Sequence, residues 1–161
     1  MSSLRSNTGT YVLAMQCAGK QTVEVGAQGP IALQSGTYLY VGSAFGPGGV
    51  AARVRRHARR DHRQHWHIDH IRPHCTLQGA WISYSEARLE CRWARALLDA
   101  ERTSVPKKRI GSSDCGCEAH FMRIEIHSPK QHEFIQSQVG AVLQEVCPCT
   151  TIEWIKAQQI L

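Results

Sequence analysis

The chain has 161 residues, of which 42% are hydrophobic, so it is long enough for one domain with a core that needs no structural staple. Its 19 Lys and Arg residues exceed its 13 Asp and Glu residues, and the resulting formal charge of +6 makes a polyanion the natural partner. The N-terminus lacks an apolar run and no later stretch is long enough to cross a bilayer, so we expect a soluble, cytoplasmic protein without a membrane partner.

The first half of the chain predicts strands followed by a basic helix. The predicted strands are Gly9 to Met15, Thr22 to Val25 and Gly36 to Ser43, with Gln28-Gly29-Pro30 as a turn. Gly46-Pro47-Gly48-Gly49 then lets the chain turn sharply into a helix from about Val50 to Asp61. Tyr38 and Tyr40 lie two residues apart and therefore share a face of their strand.

Six arginines are concentrated in and after this helix, and only Asp61 balances them locally. They are Arg53, Arg55, Arg56, Arg59, Arg60 and Arg63. An ordinary charge run is a solvated helix face, but this one continues from a Gly-rich turn and a tyrosine-bearing strand, which favours nucleic-acid binding. We therefore expect the last five of these arginines to contact nucleic acid.

The second half predicts two strands and two helices. A strand at Ala80 to Tyr84 precedes a helix with Ser85 as its N-cap, which runs to about Glu101 with Leu89, Trp93, Ala96 and Leu97 as its apolar stripe. The alternating pattern of Phe121 to His127 predicts a half-buried strand. A last helix from about Lys130 to Val146 is expected to bury Phe134, Ile135, Val139, Val142 and Leu143. This order predicts a single α+β domain over residues 1–161, with a small mixed or antiparallel central sheet flanked by helices.

Several segments together resemble the GIY-YIG nucleases, and more closely a less characterised branch of that superfamily. Gly9-Thr10-Tyr11 and Tyr40-Val41-Gly42 correspond to the two tripeptides that name the family. They are followed in the same order by three further segments, which are Gly46-Pro47-Gly48-Gly49, His65-Trp66-His67-Ile68-Asp69 and Gly111-Ser112-Ser113-Asp114-Cys115. The resemblance spans about Gly9 to Phe121. Gly36-Thr37-Tyr38 repeats the first tripeptide, but Tyr11 is preferred because its strand begins the domain as the family's first strand does.

The resemblance implies a GIY-YIG-like fold and a metal-dependent endonuclease that hydrolyses phosphodiester bonds, most simply in DNA. Arg53 would hold the scissile phosphate, and His57, four residues later on the same helix face, would share a proton or contact a phosphate. Tyr11 would act as a general base or orient water, with Tyr40 beside it. The ordinary pKa of tyrosine is about 10, so we expect Arg53 and the metal to favour the phenolate.

The resemblance also implies that Glu90 is the ligand for Mg²⁺ or Mn²⁺, because it lies on the helix after the central strand, where the family's metal-binding Glu sits; Glu86 is the alternative. The rival function is a non-catalytic nucleic-acid-binding module that retains the basic surface without turnover. Both functions predict binding that weakens with salt, and only the enzyme predicts metal-dependent cleavage.

Two further patterns offer zinc ligands. His65-Trp66-His67-Ile68-Asp69-His70 matches the H-x-H-x-D-H signature of zinc hydrolases, although a structural role after the basic helix is favoured. Cys115-Gly116-Cys117 with His120 could supply three ligands, and Cys147-Pro148-Cys149 could add others. The odd number of seven cysteines otherwise indicates free thiols rather than a disulfide framework. Asp114 is either an acidic site residue or a turn former.

Overall fold

The computed structural model describes residues 3–60, 63–125 and 131–161. Eight strands are present in these residues: β1 Gly9–Cys17, β2 Gln21–Glu24, β3 Pro30–Leu33, β4 Gly36–Ala44, β5 Cys75–Ser83, β6 Thr103–Ser104, β7 Phe121–Ile124 and β8 Glu153–Lys156. Five α-helices accompany them: α1 Gly49–Ala58, α2 His67–Ile71, α3 Glu90–Asp99, α4 Gln131–Val146 and α5 Ala157–Ile160. None of these helices combines the length and the apolar character needed to cross a membrane.

Six of the strands form one sheet in the order β6-β7-β4-β1-β5-β8, and every neighbouring pair in it is antiparallel. Strands β2 and β3 form a separate hairpin. The predicted α+β fold with a small central sheet is therefore confirmed, in its antiparallel form. β1 and β4 lie side by side at the centre, so the two tripeptides that they carry are neighbours.

The sheet separates two apolar clusters, because successive side chains of a strand point to opposite faces. On one face, Tyr11 and Leu13 of β1 pack in a cluster with Val54 of α1. On the other, Val12 of β1 packs in a cluster with Trp93 of α3 and with residues of α4. Helices α1 and α3 thus lie on opposite faces of the sheet, and the candidate site takes side chains from both helices and from β1 and β4.

The Gly-rich turn before α1 needs glycine for steric reasons. Gly48 and Gly49 have φ angles of 82° and 58°, and a Cβ on Gly49 would lie 2.2 Å from the carbonyl oxygen of Ser6. The segment before β1 also satisfies the first amides of the helix, since Val50 N–H donates to the Asn7 carbonyl at 2.9 Å. The start of α1 is therefore fixed against the start of the chain's first strand.

The structure corrects several predicted boundaries. α1 ends at Ala58, so Arg59, Arg60 and Arg63 follow the helix instead of lying on it. α3 begins at Glu90, because Ser85 Oγ accepts a hydrogen bond from the amide of Ala87 in a local turn and caps no helix.

Further differences concern side-chain burial and elements without a sequence signal. Phe134 is 53% exposed rather than buried. The short elements β3, β6, β8, α2 and α5 were not predicted. Asp61, Ile126, His127 and Lys130, which were predicted to lie in helices or strands, are outside the described residues.

Cys17 and Cys75 form a disulfide, which contradicts the expectation that all cysteines are free thiols. The two residues face each other directly in the register of β1 and β5. An odd total does not exclude a single pair of cysteines that strand pairing brings together. The remaining five cysteines are free.

Candidate functional site

Tyr11 is buried at the centre of the site and is hydrogen-bonded to His57. Its hydroxyl oxygen lies 2.8 Å from His57 Nε2, and both residues are 1% exposed. Because Tyr11 lies opposite Gly42 in the β1–β4 register, its ring covers that glycine. A Cβ on Gly42 would lie 2.4 Å from the Tyr11 hydroxyl, so only glycine fits there. The glycine of the second tripeptide thus makes room for the tyrosine of the first.

His57 faces Tyr11 through Nε2 and Asp69 through Nδ1, which is 3.9 Å from Asp69 Oδ1. Of the two predicted roles for His57, the sharing of a proton with Tyr11 fits this position.

Tyr40 lies beside His57, with ring centroids 5.9 Å apart in an edge arrangement. Burial, followed by the charges of Glu90 and Asp69, raises its pKa above the ordinary value of tyrosine. Burial and then Tyr40 likewise raise the pKa of Tyr11, although Arg53 acts in the opposite direction. The expectation that Arg53 biases Tyr11 toward the phenolate is therefore not met by the protein groups alone: desolvation outweighs the guanidinium.

Arg53 is held near Tyr11 and Tyr40 by an aromatic ring. Its guanidinium carbon lies 4.3 Å above the centroid of Trp66, and Nη1 is 3.4 Å from the carbonyl oxygen of Ser43. Stacking on Trp66 restricts a side chain that is otherwise free to turn. The positive charge of Arg53 opposes the rise in the pKa of Tyr11 and contributes to the lowered pKa of Glu90.

Glu90 is the first residue of α3, and its carboxylate is fixed by two hydrogen bonds. Ser43 Oγ donates to Oε2 at 2.8 Å, and His120 Nδ1 donates to Oε1 at 2.9 Å. Burial alone would raise its pKa, but these bonds and the charges of His120 and Arg53 bring the pKa below its ordinary value. The side chain is still 29% exposed, so an ionised carboxylate is accessible beside Arg53. Glu86 is exposed in the loop before α3, and the geometry therefore favours Glu90.

The arginines expected to bind nucleic acid fall into two groups. Arg55, Arg59 and Arg63 are exposed. Arg56 instead makes an ion pair with Asp69, whose oxygens both lie 3.2 Å from Nη1, and its guanidinium carbon also lies 4.2 Å from the ring centroid of Trp66. Arg60 is exposed but donates a hydrogen bond to the carbonyl of Cys75 at 3.1 Å. Arg56 is thus part of the internal framework and not of a free cationic surface.

Asp69 organises the His-Trp-His-Ile-Asp segment. Besides Arg56, its Oδ2 accepts hydrogen bonds from the amides of His65 and Trp66, each at 2.8 Å. Burial alone would raise its pKa, but these amides and Arg56 lower it below the ordinary value. His67 Nδ1 is also engaged, since it accepts from the Gly111 amide at 2.9 Å. The motif is structural in this geometry, and its Asp and His groups do not form a metal-binding set.

A different group of side chains could hold a metal ion. Cys91 on α3 meets Cys115 and Cys117 of the loop before β7, together with His120 at the end of that loop. Their ligand atoms all lie within 4.8 Å of one another. Among the residues that the structure describes, this is the one such group of three or more. Three sulfur atoms and one imidazole nitrogen are typical zinc ligands and poor ligands for Mg²⁺.

The cysteine cluster was predicted in part. Cys115, Cys117 and His120 are joined, but Cys91 completes the group in place of Cys147 or Cys149. Asp114 is exposed in a turn of the same loop, as expected of a turn former. Burial, and then the neighbouring thiols of Cys117 and Cys115, raise the pKa of Cys91 to about 12.

Four residues of this region have roles that the sequence did not predict. Ser43 directly follows the second tripeptide, and that proximity could have indicated its role. Trp66 and Asp69 lie in a recognised motif whose contacts could not be assigned. Cys91 carries no signal, because its partners lie more than twenty residues away on a different element.

Comparisons with curated proteins and with solved structures give no match. The model of one protein family matches residues 10–142, which include Tyr11, the arginines of α1, Glu90 and the cysteine cluster. The chain therefore belongs to the family described as domain of unknown function DUF123.

Proposed function

We propose that this protein is an endonuclease of the GIY-YIG type, which uses a divalent metal ion to hydrolyse phosphodiester bonds in DNA. The observation that carries the proposal is that Tyr11, Tyr40, Arg53 and Glu90 lie close enough to one another to interact. They come from β1, β4, α1 and α3 respectively, and each interacts electrostatically with others of the set. A purely structural tyrosine pair would not need an ionised carboxylate and a guanidinium beside it.

Hydrolysis of a phosphodiester requires an oriented oxygen nucleophile, and the Tyr11–His57 pair supports that role. The raised pKa keeps Tyr11 as a hydroxyl, which donates to His57 Nε2 and can orient water through its lone pairs. Asp69 Oδ1, which lies 3.9 Å from Nδ1 on the other side of the ring, would stabilise the imidazolium that forms when Nε2 takes up a proton. His57 is therefore placed to receive the Tyr11 proton when the hydroxyl oxygen is needed as a base.

The reaction also gathers negative charge on the phosphoryl oxygens, and Arg53 supports its stabilisation. Because the Trp66 ring restricts the position of the guanidinium, the N–H groups of Arg53 are preorganised and could donate to two phosphate oxygens. Loss of one preorganised donor of this kind lowers the rate of an enzyme by about 100- to 1000-fold.

Glu90 would hold Mg²⁺ or Mn²⁺, and such an ion supplies charge neutralisation and a more acidic water at the phosphate. The residue fits this role because its carboxylate is partly exposed and ionised, and its two present hydrogen bonds leave further lone pairs. Ser43 and His120 orient it from the protein side.

The exposed arginines in and after α1 support a nucleic-acid substrate. Arg55, Arg59 and Arg63 are exposed, and the formal net charge of the chain is +6. These charges would contact phosphates on either side of the one held by Arg53.

Nicking of supercoiled plasmid DNA at low salt, with Mg²⁺ or Mn²⁺, tests the proposal. We expect Tyr11→Phe and Glu90→Gln each to lower the nicking rate by about 100-fold or more, because each removes a group that acts on the reacting atoms. Filter retention of DNA should be nearly unchanged in both variants.

Two matched controls separate these roles from general effects of substitution. Tyr38→Phe removes a hydroxyl from the face of β4 that also carries Tyr40, but the Tyr38 hydroxyl is hydrogen-bonded to the backbone of Gln34 rather than to His57. Glu86→Gln removes an exposed carboxylate four residues before Glu90. Both controls should cut like the wild type. Retention of DNA without any metal-dependent cleavage by the wild type would identify a non-catalytic binding module instead, and cleavage by both site variants at the wild-type rate would refute the assigned site.

A further inference from the structure

The cysteine cluster has the dimensions of a closed tetrahedral site. Zinc–sulfur bonds of about 2.3 Å place ligand atoms about 3.8 Å apart around a tetrahedral ion. His120 Nε2 lies 3.5 Å from Cys115 Sγ and 4.0 Å from Cys91 Sγ, and all four ligand atoms fall within 4.8 Å of one another. Small rotations of the side chains are sufficient to bring four ligands onto one ion.

The backbone holds three of these ligands in place. In the loop from Arg109 to His120, the Arg109 amide donates to the Glu118 carbonyl at 2.7 Å, and the His120 amide donates to the Ile110 carbonyl at 2.9 Å. Arg109 Nη1 also donates to the Cys117 carbonyl at 2.7 Å. The loop is therefore closed by its own hydrogen bonds, and the side chains of Cys117 and His120 are turned inward and buried. An ion would join this loop to α3 through Cys91.

The imidazole of His120 has the tautomer that a metal ligand needs. A carboxylate can only accept hydrogen bonds, so the 2.9 Å contact with Glu90 Oε1 requires the proton to be on Nδ1. In a neutral imidazole with this proton, the lone pair is on Nε2, which is the nitrogen that faces the cysteines and would bind the ion. Metal-binding histidines are commonly oriented by such a carboxylate on the other ring nitrogen.

We propose that Cys91, Cys115, Cys117 and His120 bind one Zn²⁺ ion with tetrahedral geometry, and that the zinc-bound His120 holds the Glu90 carboxylate in its orientation toward Arg53. All four positions of the ion are filled by protein, so this zinc has a structural role and does not bind substrate. The second half of the proposal rests on the proposed nuclease function, in which Glu90 holds a different ion. His120 is then a positioning residue that links the two sites.

Metal content tests the zinc site without reference to any activity. Protein purified under reducing conditions should contain about one zinc per chain by elemental analysis. Cys115→Ser and Cys117→Ser should reduce this by at least tenfold, whereas Cys149→Ser, which changes an exposed thiol outside the cluster, should not. Co²⁺ in place of zinc should give intense visible bands of tetrahedral geometry and thiolate-to-metal charge transfer in the near ultraviolet. Wild-type protein that neither retains zinc nor shows these bands would overturn the site.

The link to Glu90 is measured by zinc affinity, through competition with a chromophoric chelator. Glu90→Ala should weaken zinc binding by about 10- to 100-fold, because the carboxylate that orients His120 is lost. Glu86→Ala is the matched control and should leave the affinity unchanged. Equal zinc affinity in Glu90→Ala and wild type would refute the link, even if the four ligands are correct.

Nicking assays on the same preparations separate this proposal from the proposed function. If the wild type cuts DNA, Cys115→Ser should cut at least tenfold more slowly, and Cys149→Ser should cut at the wild-type rate. Wild-type cutting by zinc-free Cys115→Ser would refute the link between the zinc site and Glu90. If zinc-loaded wild type never cuts, the nuclease proposal fails, while stoichiometric zinc and the affinity change in Glu90→Ala still support the metal site and its contact.

Discussion

Gly42→Ala introduces a single methyl group directly against the ring of Tyr11. An alanine Cβ at this position would lie 2.4 Å from the Tyr11 hydroxyl, 2.5 Å from Cζ and 2.8 Å from Cε2. Ordinary contacts between such atoms are about 3.5 to 4.0 Å, so the ring must move by about 1 Å or more. Tyr11 is buried and bonded to His57, and the movement therefore disturbs packing and a hydrogen bond together.

The expected cost is the difference of opposing terms. Overpacking of a buried site costs about 1–3 kcal/mol, and a weakened buried hydrogen bond adds about 1 kcal/mol. Alanine also reduces the conformational entropy of the unfolded chain relative to glycine, and this stabilises the folded protein by about 0.5–1 kcal/mol and offsets part of the cost. The free energy of unfolding should therefore fall by about 1–3 kcal/mol, which is roughly 2–12 °C in Tm for a chain of this size. The nicking rate should fall by about 100-fold, as expected for a misplacement of about 1 Å.

Thermal and urea unfolding, with nicking measured in parallel, provide the assay, and Gly46→Ala is the matched control. A Cβ on Gly46 would have no neighbouring atom within 4 Å, and the residue does not have a positive φ, so its replacement should change stability by less than about 1 kcal/mol. Tyr11→Phe removes the atom closest to the new methyl group, and the cost of Gly42→Ala should be smaller in that background. Unchanged stability of Gly42→Ala would show that the two central strands do not hold Tyr11 as described.

Two further outcomes test other parts of the site. Because the folded-state pKa of Asp69 is below its unfolded value of about 3.9, the stabilisation that it provides is fully present above that value and is lost as the pH falls through the folded pKa. Asp69→Asn should thus lower Tm at pH 7 and flatten the decline of Tm below about pH 5, in thermal melts across pH 2–8; an undiminished acid decline would contradict this. Arg55→Ala should weaken DNA binding equally for all sequences and reduce the slope of log K against log salt by about 0.9, the value for one lost phosphate contact, in titrations at several salt concentrations. An unchanged slope would place DNA on another surface.

Much of the central fold could be predicted because its signals are local. The apolar runs in Gly9 to Met15 and Gly36 to Ser43, which are bounded by turn residues, predict the two strands that pair at the centre of the sheet, and the Gly-rich turn predicts the start of α1. Edge elements were missed for a physical reason. β6 and β8 are short and gain their stability from pairing with β7 and β5, and such pairing is not encoded within the segment itself.

The candidate site likewise has residues that the sequence predicted and residues whose roles it did not. Tyr11 and Tyr40 come from the two tripeptides, Arg53 and Glu90 come from their positions on helices in the resembling family, and the four side chains lie close enough to interact. The roles of Trp66, Asp69 and Cys91 depend on distances between elements that a linear pattern does not contain. The protein groups alone raise the pKa of Tyr11, because burial outweighs the single guanidinium, and the extent of that burial is not contained in a linear pattern.

Glu90 and Cys91 are consecutive residues in the first turn of α3, and they reach opposite nitrogens of the His120 ring: Glu90 contacts Nδ1, and Cys91 lies near Nε2 with the other cysteines. Successive residues of an α-helix are separated by a rotation of about 100° and a rise of about 1.5 Å. Insertion or deletion of one residue at this point would therefore remove one side chain from its partners while leaving the other in place. The start of α3 has a fixed register, and the spacing of positions 90 and 91 is as necessary as the identity of either residue.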